Sequence, residues 1–202
     1  DIKSLEDMYQ KTGRNITWNG GDYYDPETPI FWDNPYWTRF KNYSSDERTR
    51  VYGNFVLNYK PTDWLNVMGR VTADTYNEIR EERRAVGSVP TAFGINLADE
   101  GSGYQRTNRQ VSEYNYDLIF TANKKLTTDL NLTATLGANV RKESFASIFA
   151  STQGGLNVPD VYALSNSKSN VPTPIEQDTK KEVYGVFANA NLGFKNMLYL
   201  DL

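Results

Sequence analysis

The sequence predicts an all-β fold, an antiparallel transmembrane β-barrel segment of about six strands with long external loops. Three observations predict it. Apolar residues recur at every second position over arms of about 10–13 residues, whereas soluble strands peak near 5–6 and a tilted membrane strand needs about 9–11. The connections between arms alternate strictly between short and long, as in barrels with tight turns on one side and large loops on the other. Aromatic residues also end the apolar faces. Tyr59 and Phe194 lie beside short turns, and Tyr114, Tyr116 and Tyr184 lie toward long loops, where girdles of rings bridge hydrocarbon and headgroups.

Taken in order, residues 1–47 read as an external loop region. Ile2, Leu5, Met8 and Tyr9 fall at helical spacing and predict a short amphipathic helix. The following NITWNGGDYYDPETPIFWDNPYWTRF is dense in turn-formers and rings, and Pro26, Pro29 and Pro35 are predicted to leave no room for a regular element. Residues 48–202 carry the strands. Val51, Gly53, Phe55, Leu57 and Tyr59 share one face, and Tyr52, Asn54, Val56, Asn58 and Lys60 the other. After Pro61-Thr62-Asp63, Leu65, Val67, Gly69, Val71 and Ala73 oppose Asn66, Met68, Arg70, Thr72 and Asp74, completing a hairpin. By this parity Trp64 belongs to the polar face and is not counted in a girdle.

An external loop is predicted near 81–109, with the run Arg80-Glu81-Glu82-Arg83-Arg84 as a solvated shoulder. Tyr114, Tyr116, Leu118, Phe120 and Ala122 then alternate with Glu113, Asn115, Asp117, Thr121 and Asn123. A turn at Leu126-Thr127-Thr128-Asp129 leads to Leu130, Leu132, Ala134, Leu136, Ala138 and Val140, opposed by Asn131, Thr133, Thr135, Gly137, Asn139 and Arg141. A further external loop is expected near 153–178. Beyond it Tyr184, Val186, Ala188, Ala190, Leu192 and Phe194 alternate with a polar face interrupted by Val183 and Phe187. Lys195-Asn196 turns the chain into Leu198, Leu200 and Leu202.

Composition narrows the chemistry. With no histidine and no cysteine, the commonest general base, the commonest metal ligand and every thiolate are missing, so the reading is not an enzyme. The 22 Lys and Arg against 25 Asp and Glu give a net charge of −3, which supplies no cationic footprint for nucleic acid. Residues 1–20 are charged throughout and do not form a signal peptide. No apolar run approaches the roughly 18 residues of a spanning helix, although barrel strands never produce one.

Alternation alone fits a soluble sandwich as well as a membrane wall. A sandwich would have to close over a core of modest side chains, many of them Gly and Ala. A membrane wall needs no core, because lipid covers the apolar face. Six strands fall short of the smallest closed membrane barrels, at about eight, and open edges are costly in hydrocarbon, so an internal segment of a larger barrel is expected.

The stretch DNPYWTRFKNYSSDERTRVYGNFVLNYKPTDWLNVMGRV resembles a barrel segment of the SusC/RagA-type TonB-dependent outer-membrane transporters. The resemblance lies in Asn34-Pro35-Tyr36-Trp37, in Arg48 to Asn54, in Asp63-Trp64-Leu65 and in the closing GFKNMLYLDL. It implies a barrel of about 22 strands around a plug. It also implies a place in the bacterial cell outer membrane, energy drawn through TonB, a SusD-like surface lipoprotein as lid, and a glycan or peptide substrate. Outer-membrane lipid is the remaining partner, no nucleic acid is expected, and no cofactor is implied. The alternative is a non-transporting outer-membrane or surface β-protein whose long loops bind a partner. An outer-membrane enzyme would need its catalytic site elsewhere.

Two residue sets follow. Trp18, Tyr23, Tyr24, Trp32, Tyr36 and Trp37 form an aromatic-rich loop suited to stacking on sugar rings or packing against a lid, or simply to packing the loop on itself. Arg70, Asp74, Glu113, Asp117, Asn139 and Arg141 lie on the polar face and are expected to line the lumen. Asp25 and Glu27 have nothing to hold a substrate between them, and Asp99-Glu100 with Gly101 lacks the ligand spacing for calcium.

Overall fold

The computed structural model describes residues 1–21, 23–89, 101–195 and 197–202. Its strands are β1 (Ser44–Thr62), β2 (Leu65–Arg84), β3 (Gly103–Lys125), β4 (Leu130–Ser151), β5 (Ile175–Phe194) and β6 (Leu198–Asp201). They form one antiparallel sheet in the order β1-β2-β3-β4-β5-β6, so each strand pairs with its neighbours in sequence. Two helices, α1 (Ile2–Thr12) and α2 (Pro35–Lys41), precede the sheet. The fold is that of an all-β barrel segment. Among the described residues, no helix is long and apolar enough to cross a membrane.

The chain divides into two compact units. The first comprises Asp1–Arg48, Glu78–Arg109 and Ser147–Gln177, and the second Thr49–Asn77, Gln110–Ala146 and Asp178–Leu202. In the first, α1 begins where the Asp1 carboxylate accepts from the Ser4 N–H (3.0 Å) and ends at Gly13, whose φ of 63° supplies the left-handed cap. Tyr9 of α1 stacks on Phe40 of α2, with centroids 5.7 Å apart. The buried apolar side chains Trp37, Ala85, Val89, Tyr104 and Leu156 all belong to this unit.

Buried amides complete the first unit. Asn34 is wholly enclosed, donating to the carbonyls of Leu5 (2.9 Å) and Ile16 (2.7 Å) and accepting from the Tyr36 N–H (2.9 Å). Asn19 accepts from the N–H groups of Ile30, Phe31 and Trp32, cinching the loop between them. Asn166 bonds the carbonyls of Val158 (2.8 Å) and Val161 (2.7 Å).

The second unit has no such interior. Among its described residues only Gly137 and Gly193 are buried. Each lies under a cross-strand ring: a Cβ on Gly137 would overlap Phe187, and one on Gly193 would come 3.0 Å from Tyr199. Phe187 interrupts the polar alternation because its ring covers the bare backbone of its neighbour.

Several expectations change. Pro35 opens α2 instead of forbidding it, since at the first helical position its missing N–H would have had no partner, and Asn34 caps the turn. The strands run past the alternating stretches: β1 starts at Ser44, β2 continues to Arg84 and β3 begins at Gly103. There the ladder persists while both faces turn polar. The Arg80–Arg84 run is accordingly the end of β2, with Arg84 only 1 % exposed, and not a solvated shoulder. Trp64 sits in the turn itself, where strand parity does not apply, and carries the Lys124 ammonium 5.0 Å from its ring centroid. Lys124 shares the parity of Phe120 and Ala122, so Trp64 attaches to the apolar side. Asp99, Glu100 and Asn196 lie outside the described residues.

Candidate functional site: a two-faced sheet and an aromatic loop

The apolar parity positions make a continuous open surface across the six strands. Phe55 is 69 % exposed, and Leu57, Leu118, Leu136, Val186 and Leu200 are exposed with it. The surface has defined limits. On β4 it runs from Leu130 to Val140, about 34 Å of strand at 3.4 Å per residue, and about 24 Å in height at a tilt near 45°. The next residue of that parity is Lys142, paired with Glu182 at 3.1 Å. On β5 the apolar positions likewise run from Phe194 to Tyr184 before reaching Glu182. An apolar band of about 25 Å flanked by rings is what a bilayer requires of a barrel exterior.

The opposite face carries cross-strand ion pairs. Arg70 on β2 donates through Nε to Asp117 Oδ2 on β3 (2.7 Å), and Asn139 on β4 donates to the other carboxylate oxygen (2.6 Å). Arg141 bonds Glu113 (2.8 Å) and Glu143 (2.5 Å). Asp74 receives Arg50 of β1 through Nε at 2.8 Å, with a second contact from the same guanidinium. All six polar residues read from the sequence therefore fall into three cross-strand clusters. Sequence reasoning missed Arg50 and Glu143, although both share the parity of their partners. It also missed Glu78, a buried carboxylate contacted by Arg48, Arg80 and Arg109.

A cleft of about 280 Å³ opens on this face between β3, β4 and β5, lined by Val111, Glu113, Arg141, Glu143, Phe145 and Lys181. It offers both charge signs beside apolar surface. Among the described residues, no cluster of acidic side chains is arranged to hold a metal ion.

The aromatic set divides. Trp37 is buried and its indole N–H donates to Ser88 Oγ at 2.9 Å, so it packs the loop. Tyr36 is half-buried. Trp18, Tyr23, Tyr24 and Trp32 are exposed, with Tyr23 and Tyr24 edge to face at 5.5 Å. They ride on the loop that Asn19 cinches and the Gly20–Pro29 bridge closes. At the base of the loop, Asp33 accepts from Asn15 Nδ2 (2.6 Å) and the Val89 N–H (2.7 Å), and burial raises its carboxyl above the ordinary range. Burial likewise pushes the Tyr162 hydroxyl up to about 12, keeping it a donor.

With this geometry in hand, the chain can be set beside known proteins. No family model matches it, and no curated protein does. Solved structures do. A structure of the RagAB peptide transporter aligns over 91 % of this chain and 20 % of its own, with a TM-score of 0.71 and 16 % identity. The RagAB peptide importer in an open-open state aligns over 91 % and 19 %, with a TM-score of 0.68 and 17 % identity. Its closed-closed state aligns over 84 % and 18 %, with a TM-score of 0.67 and 18 % identity. The chain spans about a fifth of the chains it matches. At this identity the likeness is one of fold.

Proposed function

We propose that this chain is a wall segment of an outer-membrane nutrient importer of the SusC/RagA type. The carrying observation is the open apolar band, which runs the length of a bilayer's hydrocarbon and which no protein layer covers among the described residues. The fold likeness to RagAB chains supports a transporter over an enzyme. On this reading, the whole barrel has about 22 strands. Its long loops face the exterior, a SusD-like lipoprotein lies over them, and TonB supplies the energy. The polar face with its ion-pair clusters lines the lumen. The cargo is an oligopeptide or oligosaccharide, and the mixed-charge cleft beside Phe145 suits a peptide, whose backbone and termini carry both signs. Trp18, Tyr23, Tyr24 and Trp32 offer contact area to cargo or lid.

The test is fractionation of the full-length protein followed by uptake. The protein is expected in the outer-membrane fraction, extracted only by detergent and migrating differently before and after heating. Cells lacking it are expected to lose uptake of labelled oligopeptides. Recovery as a soluble folded monomer would overturn the membrane reading, and unchanged uptake of peptides and glycans would overturn the transport reading.

A further inference from the structure

We infer that the cleft between β3, β4 and β5 on the polar face is a subsite for a short zwitterionic peptide whose ammonium and carboxylate enter it together. The inference rests on the transporter reading above and deepens it, naming a cargo class for one place on the wall. Val111 and Phe145 give this cleft of about 280 Å³ its apolar surface, and Glu113, Arg141, Glu143 and Lys181 give it its charges. All of these residues belong to the second unit.

Two carboxylates and two cations make the site net neutral, yet they do not all pair with one another. A single guanidinium nitrogen, Arg141 Nη2, serves both Glu113 (2.8 Å) and Glu143 (2.5 Å). Glu113 is fully occupied, because its Oε1 accepts from Asn115 Nδ2 at 2.9 Å. The neighbouring Asp74 is held by Arg50. Glu143 meets the guanidinium through Oε1, and among the described residues its Oε2 has no partner. Lys181 lines the same cleft and, among the described residues, makes no ion pair. On the opposite face of the same two strands, Lys142 and Glu182 do close on each other, at 3.1 Å. The cleft thus holds an open acceptor and an open ammonium beside apolar surface.

That combination selects its ligand. A carboxylate oxygen takes N–H donors, and an ammonium takes oxygen acceptors. A ligand of one charge sign is attracted by one of these groups and repelled by the other, whereas a zwitterion is attracted by both. At about 30 Å³ per water the cleft has room for roughly nine waters, the bulk of one or two amino-acid residues. Two extended residues span at most about 7 Å, so both termini of a dipeptide fit within it, and a longer peptide carries one terminus outside. A neutral sugar brings hydroxyls to the site but neither charge. The cleft lies just beyond Val140, where the apolar band of the other face ends toward the long loops. On the transporter reading this is the outer mouth of the lumen, where cargo first meets the wall.

The test uses the full-length protein in detergent, with binding followed by saturation-transfer NMR, which registers weak ligands. The probes are leucyl-phenylalanine, its N-acetyl form, its C-terminal amide and a leucine tetrapeptide. The free dipeptide is expected to bind best, each blocked form about threefold to fivefold more weakly, and the tetrapeptide no better than the blocked forms. Lys181→Gln should bind the dipeptide and its amide alike while still rejecting the acetyl form. Glu143→Gln should do the converse. Both substitutions touch groups at the open side of the cleft, and this exchange of preferences is a readout that a general loss of structure would not produce. Equal binding of free and blocked dipeptides, or one common loss for all four probes in both variants, would overturn the inference. Uptake of labelled oligopeptides by cells would then leave the transporter reading standing, and absence of that uptake would overturn both.

Discussion

The two units of this chain solve the same problem in opposite ways. Both must satisfy every backbone N–H and C=O. The second unit does so with main-chain ladders and buries almost nothing else, two glycines under rings being the only enclosed ones among its described residues. The first unit, with irregular connections to hold, uses side-chain amides: Asn15, Asn19, Asn34 and Asn166 bond main-chain groups that no ladder reaches. It also keeps the buried apolar residues. An interior is thus built where loops must hold one shape. It is omitted where the apolar face of the sheet stands open.

This contrast can be broken by mutation. The largest effect is expected in the first unit, where Asn34→Ala strips partners from two carbonyls and one N–H in a site closed to water, for a loss of about 4 kcal/mol. Hydrogen exchange would register it as easier opening of α2 and the segment around Ile16, and a change below about 1 kcal/mol would show that the amide is dispensable.

In the second unit, Phe55→Arg places a charge mid-band and should cost about 2–4 kcal/mol when unfolding is followed in phospholipid vesicles. A value near zero would mean that water faces this side, and the contrast would collapse. Gly137→Ala is expected to cost about 1–2 kcal/mol, because the added methyl must push Phe187 aside. Combined with Phe187→Leu the two changes should be non-additive, and simple additivity would show that the ring does not rest there.

The smallest effect sharpens the comparison by pH. Burial raises the folded-state pKa of Asp33, so the folded loop binds a proton more readily than the unfolded chain. Its contribution is complete below the unfolded value, near 3.8, and declines as pH rises through the folded value. Proteolysis of segments 14–43 and 85–89 should accelerate over that rise, and Asp33→Asn should flatten the profile. Acceleration toward acid instead would reverse the assignment.

Legibility in the sequence followed the same division. The hairpins could be read because period two and short turns are local signals, and β5 was found despite Phe187. The polar-face residues could be grouped for the same reason, since parity alone aligns Asp117 with Asn139. Strand ends could not be read at Ser44, Arg84 or Gly103, because where both faces are polar nothing distinguishes a hydrogen-bonded arm from a loop. The roles of Asn34 and Trp37 were equally hidden. Their partners, Leu5 and Ser88, lie far along the chain, and a buried tryptophan spells the same as an exposed one.

The sheet's spatial order repeats its order along the chain. A sheet so arranged has no pairing that must wait for a distant segment, so it can zip hairpin by hairpin. Each short turn nucleates two arms, and each finished pair offers one free edge to the next. Lengthening an outer loop then adds only about 0.6 kcal/mol of closure entropy per doubling. Such a scaffold can diversify its loops without slowing its own assembly.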